Sequence, residues 1–538
     1  MRIIKKYDIF IVSIVLAVVS FVSIYGIRVL NPLYDAWLLR GGDLTQHYIG
    51  WEFFRSSEWQ FPVGLMNKIA YPNNVSVIFT DSIPVFALAF KFFSQFLAQT
   101  FQYFGWWELL CFILQAIFAV KLLYYFTENK ASSVIGSMFF VFAPIFISRV
   151  FFHTALSSQW LLLVALYLSL TYIKTKKNIL QSMIIWASLG GICALIHLYY
   201  IPMCGIIMVG FLIQRLIEER KIVPVTLIGA SYVSAALIVV ILLGGLSHDH
   251  QLDAGGLGQF SFNMNGLVNP MGWSKILPNL SSYGEGSGDG FAYLGLGVIT
   301  LTIIAVFLQG LKIFRERNRK ARANNVWAYC FIVVVCILVS ASHKFPFNAD
   351  YVFELPYPEK LVSLWGMFRS SGRFIWPVVY LILLFVISKI TIILKKQYII
   401  VPLLTLAFIL QIYDISHVLA AKSGEFKSEV TSITAGMDVR WDELSDGKKH
   451  VVFVSHVTQN QDILYKVSQY AYEHDMTIND FYFAHSAVDG DIRENREIEM
   501  KNLNKDTLYI FKVQDQDLYE AYPLEYYELD GIIVGVKK

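Results

Sequence analysis

The chain begins with "MRIIKKYDIFIVSIVLAVVSFVSIYGI" (residues 1–27), a short basic start followed by a long apolar run. A helix needs about 20 apolar residues to cross the hydrocarbon core of a bilayer. This run is longer than the apolar core of a signal peptide and lacks a small-x-small cleavage pattern, so it predicts a retained first span. Of the 538 residues, 56% are hydrophobic and 16% are charged, whereas soluble proteins average roughly 25% charged residues. The composition indicates a multi-pass membrane protein.

Ten more segments repeat the apolar pattern of the first span, at 9–29. They are 104–126, 132–150, 156–173, 179–198, 201–216, 223–246, 291–311, 326–342, 374–394 and 398–413. If all eleven cross alternately, the short basic loops fall on one side, which the positive-inside rule makes cytoplasmic. The N-terminus is then cytoplasmic, and segments 31–103, 247–290 and 343–373 are external. Segment 82–97 is excluded as a span, because counting it would move a basic loop outside. We expect it to be interfacial or re-entrant.

The end of the chain differs in charge and in pattern. From residue 422 onward, 13 Lys and Arg stand against 22 Asp and Glu, while the preceding part has 31 against 19. Strand-like runs such as "HVVFVSHV" and "DTLYIFKV" alternate with a helix-like one, which is typical of a small α/β domain. We therefore predict a mainly α fold. A polytopic helical bundle (1–415) carries the external loops and is followed by an extracytoplasmic α/β domain (416–538). No pattern indicates nucleotide or nucleic-acid binding.

The first external segment concentrates polar and aromatic residues in "GGDLTQHYIGWEFFRSSEWQF" (residues 41–61). Asp43 and Gln46 have the spacing of a capping box, so Asp43 could simply begin a helix that lies on the membrane. The two preceding glycines, however, allow a ligand close to the backbone, and ionisable side chains follow. Both interpretations stay open for Asp43. The candidate substrate-binding residues of this segment are Gln46, His47, Trp51 and Arg55.

A second acid, Asp81, lies in "NKIAYPNNVSVIFTDSIP" (residues 67–84). A helix cap is the favoured interpretation, because proline follows close behind. If Asp81 faces Asp43, the two could share a metal or divide acid and base roles. His47, His153, His197 and His343 each lie at the outer end of a span. They lack zinc-site spacing, so we interpret them as hydrated interface residues and predict no metal ligand.

The other two external segments offer ligand groups of different kinds. In 247–290, Asn269 and Trp273 suit a hydroxyl-rich ligand, although a solvated loop held by turns explains them equally well. In 343–373, Lys360, Arg369 and Arg373 place positive charge on the side that topology disfavours. Guanidinium groups bind phosphate with two parallel hydrogen bonds. We therefore predict that these cations bind a lipid phosphate, with ordinary headgroup contact as the alternative.

Five stretches carry a family resemblance: "GGDLTQHYIGWEFFR", "FTDSIPVFALAFK", "NPMGWSKILP", "FAYLGLG" and "WGMFRSSGRFIWP", spread over 41–377. As a set they resemble the glycosyltransferase C superfamily, in a bacterial branch known only as a domain of unknown function. The resemblance implies inverting sugar transfer from a polyprenyl phosphate to a cell-surface polymer or glycan. Asp43 would be the general base, and Arg369 or Arg373 would stabilise the departing phosphate. Some relatives use a divalent metal, but Asp43 has no adjacent acid.

Two other functions compete with this one. A transporter or flippase of cell-envelope precursors would place ionisable groups within interrupted spans. The glycines at 190–191 and the break at 197–202 allow this, although the charges cluster at the outer ends. A non-enzymatic envelope scaffold would act through its C-terminal domain. The expected partners of the enzyme are the plasma-membrane bilayer, a polyprenyl-phosphate sugar and a glycan or polymer acceptor.

Overall fold

The computed structural model describes residues 4–172, 177–247, 257–315, 326–366, 368–458, 460–483 and 496–538, and within these the chain is mainly helical. In chain order, the helices before the C-terminal domain are α1 (Ile4–Tyr25), α2 (Gly42–Ser56), α3 (Pro84–Phe92), α4 (Phe104–Thr127), α5 (Lys130–Val141), α6 (Pro144–Ile147), α7 (Trp160–Leu170), α8 (Ile179–Ile196), α9 (Tyr200–Glu219), α10 (Ile222–Leu242), α11 (Leu296–Arg315), α12 (Val326–Ala341), α13 (Glu359–Gly366), α14 (Trp376–Leu394) and α15 (Gln397–Lys427).

Length and composition divide these helices into two groups. Among the described residues, α1, α4, α8, α9, α10, α14 and α15 are long and apolar enough to cross a membrane, while α5, α7, α11 and α12 are shorter apolar helices. Each of the eleven predicted segments overlaps one of these helices. The protein is therefore a multi-pass membrane protein. The last helix, α15, continues to Lys427, past the domain boundary predicted at residue 415.

Local sequence explains where several helices begin and end. Asn178 and Gln181 form a reciprocal capping box at the start of α8, which satisfies two backbone N–H groups that have no partner within the helix. The predicted span 132–150 is interrupted instead, because α5 ends at Val141 and Pro144 begins the short α6. The chain after α6 is therefore free to turn back toward α2.

Segment 82–97 contains α3, a helix of nine residues. At about 1.5 Å per residue, such a helix is too short to cross a hydrocarbon core roughly 30 Å thick. It packs against α2 and α8. Its Lys91 ammonium lies 4.1 Å from the ring centre of Phe54 and 4.8 Å from that of Trp59. The structure thus agrees with the expectation that this segment does not span.

Two hairpins and a five-stranded sheet make up the β structure of the described residues. The hairpins are β1 (Leu65–Ala70) with β2 (Asn73–Ser76), and β3 (Lys344–Phe347) with β4 (Asp350–Glu354). The C-terminal strands are β5 (His450–Phe453), β6 (Thr477–Ile478), β7 (Thr507–Lys512), β8 (Glu525–Leu529) and β9 (Ile532–Val536), in the order β6-β5-β7-β9-β8. β5 pairs in parallel with both its neighbours, and the remaining pairs are antiparallel.

The C-terminal domain also contains α16 (Arg440–Ser445), α17 (Gln461–Glu473) and α18 (Gln516–Tyr519), which confirms the predicted mixture of helix and sheet. Its helix α17 packs against α2. The Tyr71 backbone N–H donates to the carbonyl of Ile478 at 2.9 Å, joining the first hairpin to the sheet. The chain between α1 and α4, which contains α2 and the first hairpin, is therefore held between the membrane helices and this domain.

Candidate functional site

A cavity of about 690 Å³ lies beside α2, where the ends of several helices meet the C-terminal domain. One part of its wall is ionisable and is formed by Asp43, His47, Asp81, Arg149, His153, His197, Asp289, Arg369 and Arg373. Another part is apolar and comes from α8, α9, α10 and the residues next to them: Ala194, Ile196, Leu198, Ile201, Leu237, Val240 and Leu246. The cavity therefore has the two-sided character of a site for an amphipathic ligand.

Asp43 does not cap α2, although its spacing from Gln46 suggested this. Gly41 and Gly42 have φ values of 95° and 73°, a region in which glycine has no steric cost, and the helix starts there without a side-chain cap. Gln46 donates from Nε2 to the backbone carbonyl of Tyr482 at 2.8 Å. Asp43 Oδ2 lies 3.3 Å from Nε2 of His153. The carboxylate is thus free of a capping role and faces the cavity.

The hydrogen-bond network assigns the tautomer of His153. Nη1 of Arg149 lies 3.4 Å from Nδ1 of this imidazole, and a guanidinium nitrogen can only donate. Nδ1 is therefore the acceptor, and Nε2 carries the proton that points to Asp43. Burial and the guanidinium groups of Arg373 and Arg149 lower the pKa of His153 well below its ordinary value. A neutral imidazole that donates to the carboxylate therefore orients Asp43.

Asp81 is not the cap of α3 that the sequence favoured. Its φ is 53°, it ends a short 3-10 turn, and Ile83 occupies the N-cap of α3. Its two carboxylate oxygens lie 3.3 Å from Nε2 of His197 and 4.0 Å from Nε2 of His47. Because the Tyr199 backbone N–H donates to Nδ1 of His197, the proton of that imidazole lies on the nitrogen facing Asp81. A second carboxylate–imidazole pair therefore lines the cavity.

Asp289 joins two arginines at another part of the wall. Its Oδ1 lies 3.3 Å from Nη1 of Arg149 and 3.1 Å from Nη2 of Arg373. Its Oδ2 accepts a hydrogen bond from the Ser370 hydroxyl at 2.6 Å. The side chains of the two arginines are only 4% and 8% exposed, yet neither Nε has a hydrogen-bond partner among the described residues. Such buried N–H groups are costly unless a ligand satisfies them.

The three carboxylates of the cavity have different electrostatic settings. Burial raises the pKa of Asp43 above its ordinary value, and His47 opposes this shift. Burial alone would also raise the pKa of Asp81, but His197 and His47 bring it below the ordinary range. Arg373 and Arg149 similarly outweigh burial and lower the pKa of Asp289. Asp43 is therefore the strongest base of the three near neutral pH.

Five predicted ligand residues lie outside the cavity wall as far as the structure describes it: Trp51, Arg55, Lys360, Asn269 and Trp273. Trp51 is buried, and its indole N–H donates to the carbonyl of Phe101. The Arg55 guanidinium lies 5.5 Å from the ring centre of Trp51 and donates to carbonyls of the 94–99 turn. Lys360 is exposed on α13. Trp51 and Arg55 therefore fix α2 to the body of the protein.

The segment 247–290 uses its amides internally where it is described. Asn269 donates to the carbonyl of Leu280 at 3.0 Å and accepts from the backbone N–H of the same residue. Trp273 packs against Phe291, with 5.2 Å between ring centres. These contacts favour the alternative of a loop held together by its own turns, and binding of a hydroxyl-rich ligand by the two side chains stays a prediction.

Four charged or imidazole side chains of the described cavity wall were not among the predicted site residues: Arg149, His153, His197 and Asp289. The two histidines were interpreted as hydrated interface residues, but each faces a carboxylate. Arg149 lies at the predicted outer end of the span 132–150. The topology argument that selected Arg373 could therefore have selected Arg149 too. Asp289 interrupts the glycine-rich "GEGSGDG" (residues 284–290), which was the available signal for it.

A divalent metal is one expectation of the family resemblance. Within the described part of the chain, no group of three His, Cys, Asp or Glu side chains stands close enough to hold an ion. Asp43 and Asp81 face imidazoles, and Asp289 faces guanidinium groups. These donors do not fit a metal centre, so the chemistry proposed below has no step through one.

Fold and cavity together define a multi-pass membrane protein with a charged cavity at one end of its helices and a mixed-sheet domain beside it. The chain belongs to the family described as "Domain of unknown function (DUF6311)", whose model matches residues 14–416. The model of the DUF6311 C-terminal domain matches residues 440–537. This membership confirms the predicted link to a family of unknown function. A search of curated proteins found no significant match.

Solved structures of the oligosaccharyltransferase AglB from Archaeoglobus fulgidus are similar to the chain. The apo form is 12% identical, with a TM-score of 0.43, covering 95% of this chain and 70% of that one. The form with an inhibitory peptide and a dolichol-phosphate is 11% identical, with a TM-score of 0.43 and coverages of 99% and 75%. The form tethered to an acceptor peptide is 12% identical, with a TM-score of 0.44 and coverages of 100% and 75%. This likeness is weak, so the chemistry proposed below stands on the geometry of the cavity.

Proposed function

We propose that the protein is a membrane glycosyltransferase of the C type, which moves a sugar from a polyprenyl-phosphate donor to a hydroxyl of a cell-surface glycan or polymer. One observation carries this proposal. A carboxylate with a raised pKa, Asp43, and three guanidinium groups, Arg149, Arg369 and Arg373, line the same cavity. Base and cation are the two kinds of group that transfer from a lipid phosphate requires.

The wall of the cavity matches the two parts of such a donor. The apolar residues of α8, α9 and α10 offer a surface to a prenyl chain. Most of α10 is exposed at the surface of the protein. The guanidinium groups lie on the same cavity and suit the phosphate. Within the described chain no carboxylate pairs with Arg369, whose guanidinium carbon lies 5.5 Å from the ring centre of Phe260. Arg369 is thus the cation most available to an incoming phosphate.

In the proposed step, the acceptor hydroxyl gives its proton to Asp43 as its oxygen attacks the anomeric carbon. The new carbon–oxygen bond forms while the bond from that carbon to the phosphate oxygen breaks, and its electron pair leaves with the polyprenyl phosphate. Attack opposite the leaving group inverts the configuration. His153 holds the carboxylate through Nε2–H, and its other nitrogen faces Arg149. One imidazole ring therefore links the base to the guanidinium cluster along the wall of the cavity that would receive the sugar.

The guanidinium groups act on the leaving group in this account. Charge on the phosphate increases as the bond breaks, so donors fixed in advance at that position lower the barrier. Arg373 is fixed by Asp289 and by the ring of Tyr199, whose centre lies 4.9 Å from its guanidinium carbon. The acceptor would enter beside the C-terminal domain, since Tyr482 lines the cavity and is bonded to Gln46 on α2. By the positive-inside rule, this end of the protein is extracytoplasmic.

The test uses purified protein in lipid nanodiscs, supplied with a panel of prenyl-phosphate sugars and a crude cell-surface polymer as acceptor. We expect polymer-dependent release of prenyl phosphate with at least one sugar, and incorporation of that sugar into the polymer. A second arm places the protein in sealed vesicles. Movement of the lipid sugar across the bilayer without any release of prenyl phosphate would reject the enzyme and favour the flippase alternative.

A further inference from the structure

The three arginines of the cavity are partly neutralised from within by Asp289. This carboxylate belongs to the 3-10 turn Glu285–Gly290, and its side chain is 18% exposed. With Arg149, Arg369 and Arg373 it leaves the cluster a formal charge of +2. A leaving monophosphate ester carries a charge of about −2 at neutral pH. The cluster therefore balances one released prenyl monophosphate, and a released prenyl diphosphate would bring additional negative charge.

The contacts of Asp289 are those that a phosphoryl group would make. One oxygen is shared by two guanidinium groups, and the other accepts a serine hydroxyl. Arginine forks and hydroxyls bind carboxylate and phosphate in the same way. The site that a second phosphoryl group needs is thus already occupied by a side chain of the protein itself.

In the turn that carries Asp289, the Asp289 side chain, and not crowding by the backbone, limits the space for a second phosphoryl group. Gly286 and Gly288 line the cavity, and a Cβ built on Gly288 meets no heavy atom within 4 Å. Gly290 is fixed instead, since its Cβ would lie 2.4 Å from the carbonyl oxygen of Ser261. The carboxylate therefore projects from an anchored turn into a region with open space beside it.

We propose that Asp289 is a specificity residue that stands in for a second phosphoryl group, so that the cavity selects prenyl monophosphate donors over prenyl diphosphate donors. This inference rests on the proposed function and names its donor class. Asp289 selects by charge, because its negative charge repels an added phosphoryl group. It selects also by space, because it occupies the guanidinium pair that this group would use.

The test measures binding of farnesyl monophosphate and farnesyl diphosphate to the purified full-length protein in detergent by calorimetry. We expect the wild type to prefer the monophosphate. Asp289→Asn should shift the ratio of the two affinities toward the diphosphate by about tenfold, equivalent to about 1.4 kcal/mol, and Asp289→Ala should shift it further. Asp350→Asn removes an exposed acid on β4, outside the cavity wall, and should leave the ratio unchanged.

Each outcome decides the matter. Wild-type protein that binds the diphosphate as tightly as the monophosphate overturns the role of Asp289, even if neither variant folds. Folded variants with an unchanged ratio overturn it too, while the proposed transferase activity survives if monophosphate sugars are still consumed. If the wild type binds neither probe, the proposed function itself fails along with this inference.

Discussion

Two buried arginines near the same end of the molecule have opposite surroundings. Arg55 is 8% exposed, and its guanidinium donates only to backbone carbonyls, those of Ser94, Leu97, Ala98 and Gln99. Arg373 is 6% exposed, but it lies on the cavity, is held by Asp289 and, among the described residues, keeps an Nε without a partner. Similar burial therefore accompanies two different uses of the same side chain.

The role of a buried cation can be inferred from its partners and from the space next to it. Four carbonyls satisfy the Arg55 guanidinium and fix a turn to α2, which is a structural role. A carboxylate that leaves part of the guanidinium facing a cavity keeps the cation in place while a ligand can still reach it. The partner and the adjacent space indicate function, and the degree of burial does not.

The largest effect is expected at the base. Asp43→Asn should reduce sugar transfer by about 10²–10⁴-fold, the usual contribution of a general base, while donor binding persists. Glu52→Gln is the matched control on the same helix. Burial raises the pKa of Glu52 well above its ordinary value, which favours the uncharged acid, the form that the amide of glutamine resembles. Transfer that survives Asp43→Asn at the normal rate would remove Asp43 from the mechanism.

The two arginines should respond differently to the same substitution. Arg373→Gln should lower kcat by about 10²-fold, because it removes a donor to the departing phosphate, with a smaller change in KM. Arg55→Gln should leave kcat within a factor of two but lower the free energy of unfolding by about 1–3 kcal/mol, since carbonyls lose buried partners. Kinetics and thermal unfolding of both purified variants provide the comparison. Equal kinetic losses would contradict the distinction drawn above.

The pH dependence should report the raised pKa of Asp43. A base acts when ionised, so transfer should be complete above this pKa and fall as the pH decreases through it. Burial places that acid limb above the ordinary value of about 3.9. Besides His153, whose Nε2 lies 3.3 Å from its carboxylate, the groups that act on the pKa of Asp43 are His47, Asp81, Arg373 and Asp289. A pH–rate profile of kcat measures the limb, and a rate that stays flat down to pH 4 would contradict the assignment.

The smallest effect is expected where the C-terminal domain meets α2. Gln46→Ala removes the buried hydrogen bond to the Tyr482 carbonyl, worth about 1 kcal/mol, and should reduce transfer by about fivefold or less through a loosened wall. Lys68→Ala breaks an ion pair with Asp475, whose side chain is 85% exposed. Ion pairs at the surface contribute little to stability. Steady-state transfer assays compare the two. An effect of Lys68→Ala as large as that of Gln46→Ala would indicate that docking in general, not this bond, matters.

Much of the fold follows from the length of apolar runs. All eleven predicted segments overlap an apolar helix, and the strand-like runs "HVVFVSHV" and "DTLYIFKV" contain β5 and β7. These features depend on local sequence, because membrane spans and buried strands each have a fixed period or length. The extension of α15 to Lys427 was missed, since its last residues are polar and carry no such signal.

The site was less predictable because its contacts are not local. Asp43, Arg369 and Arg373 stood out by their position at outer ends of spans. Nothing in the sequence separated Gln46, which lines the cavity, from Arg55, which does not. That difference depends on which face of α2 meets the C-terminal domain. Asp289 bonds to Arg149 across 140 positions of chain, a pairing that no spacing rule could supply.

The most direct measurement is a structure of the protein with a non-transferable prenyl-phosphate sugar bound in nanodiscs. It should show the phosphate within hydrogen-bonding distance of Arg369 or Arg373, the prenyl chain along α8 and α10, and the anomeric carbon facing Asp43. A donor bound elsewhere, or one whose sugar lies on the far side of the phosphate from Asp43, would contradict the convergence of base and cations on a single substrate.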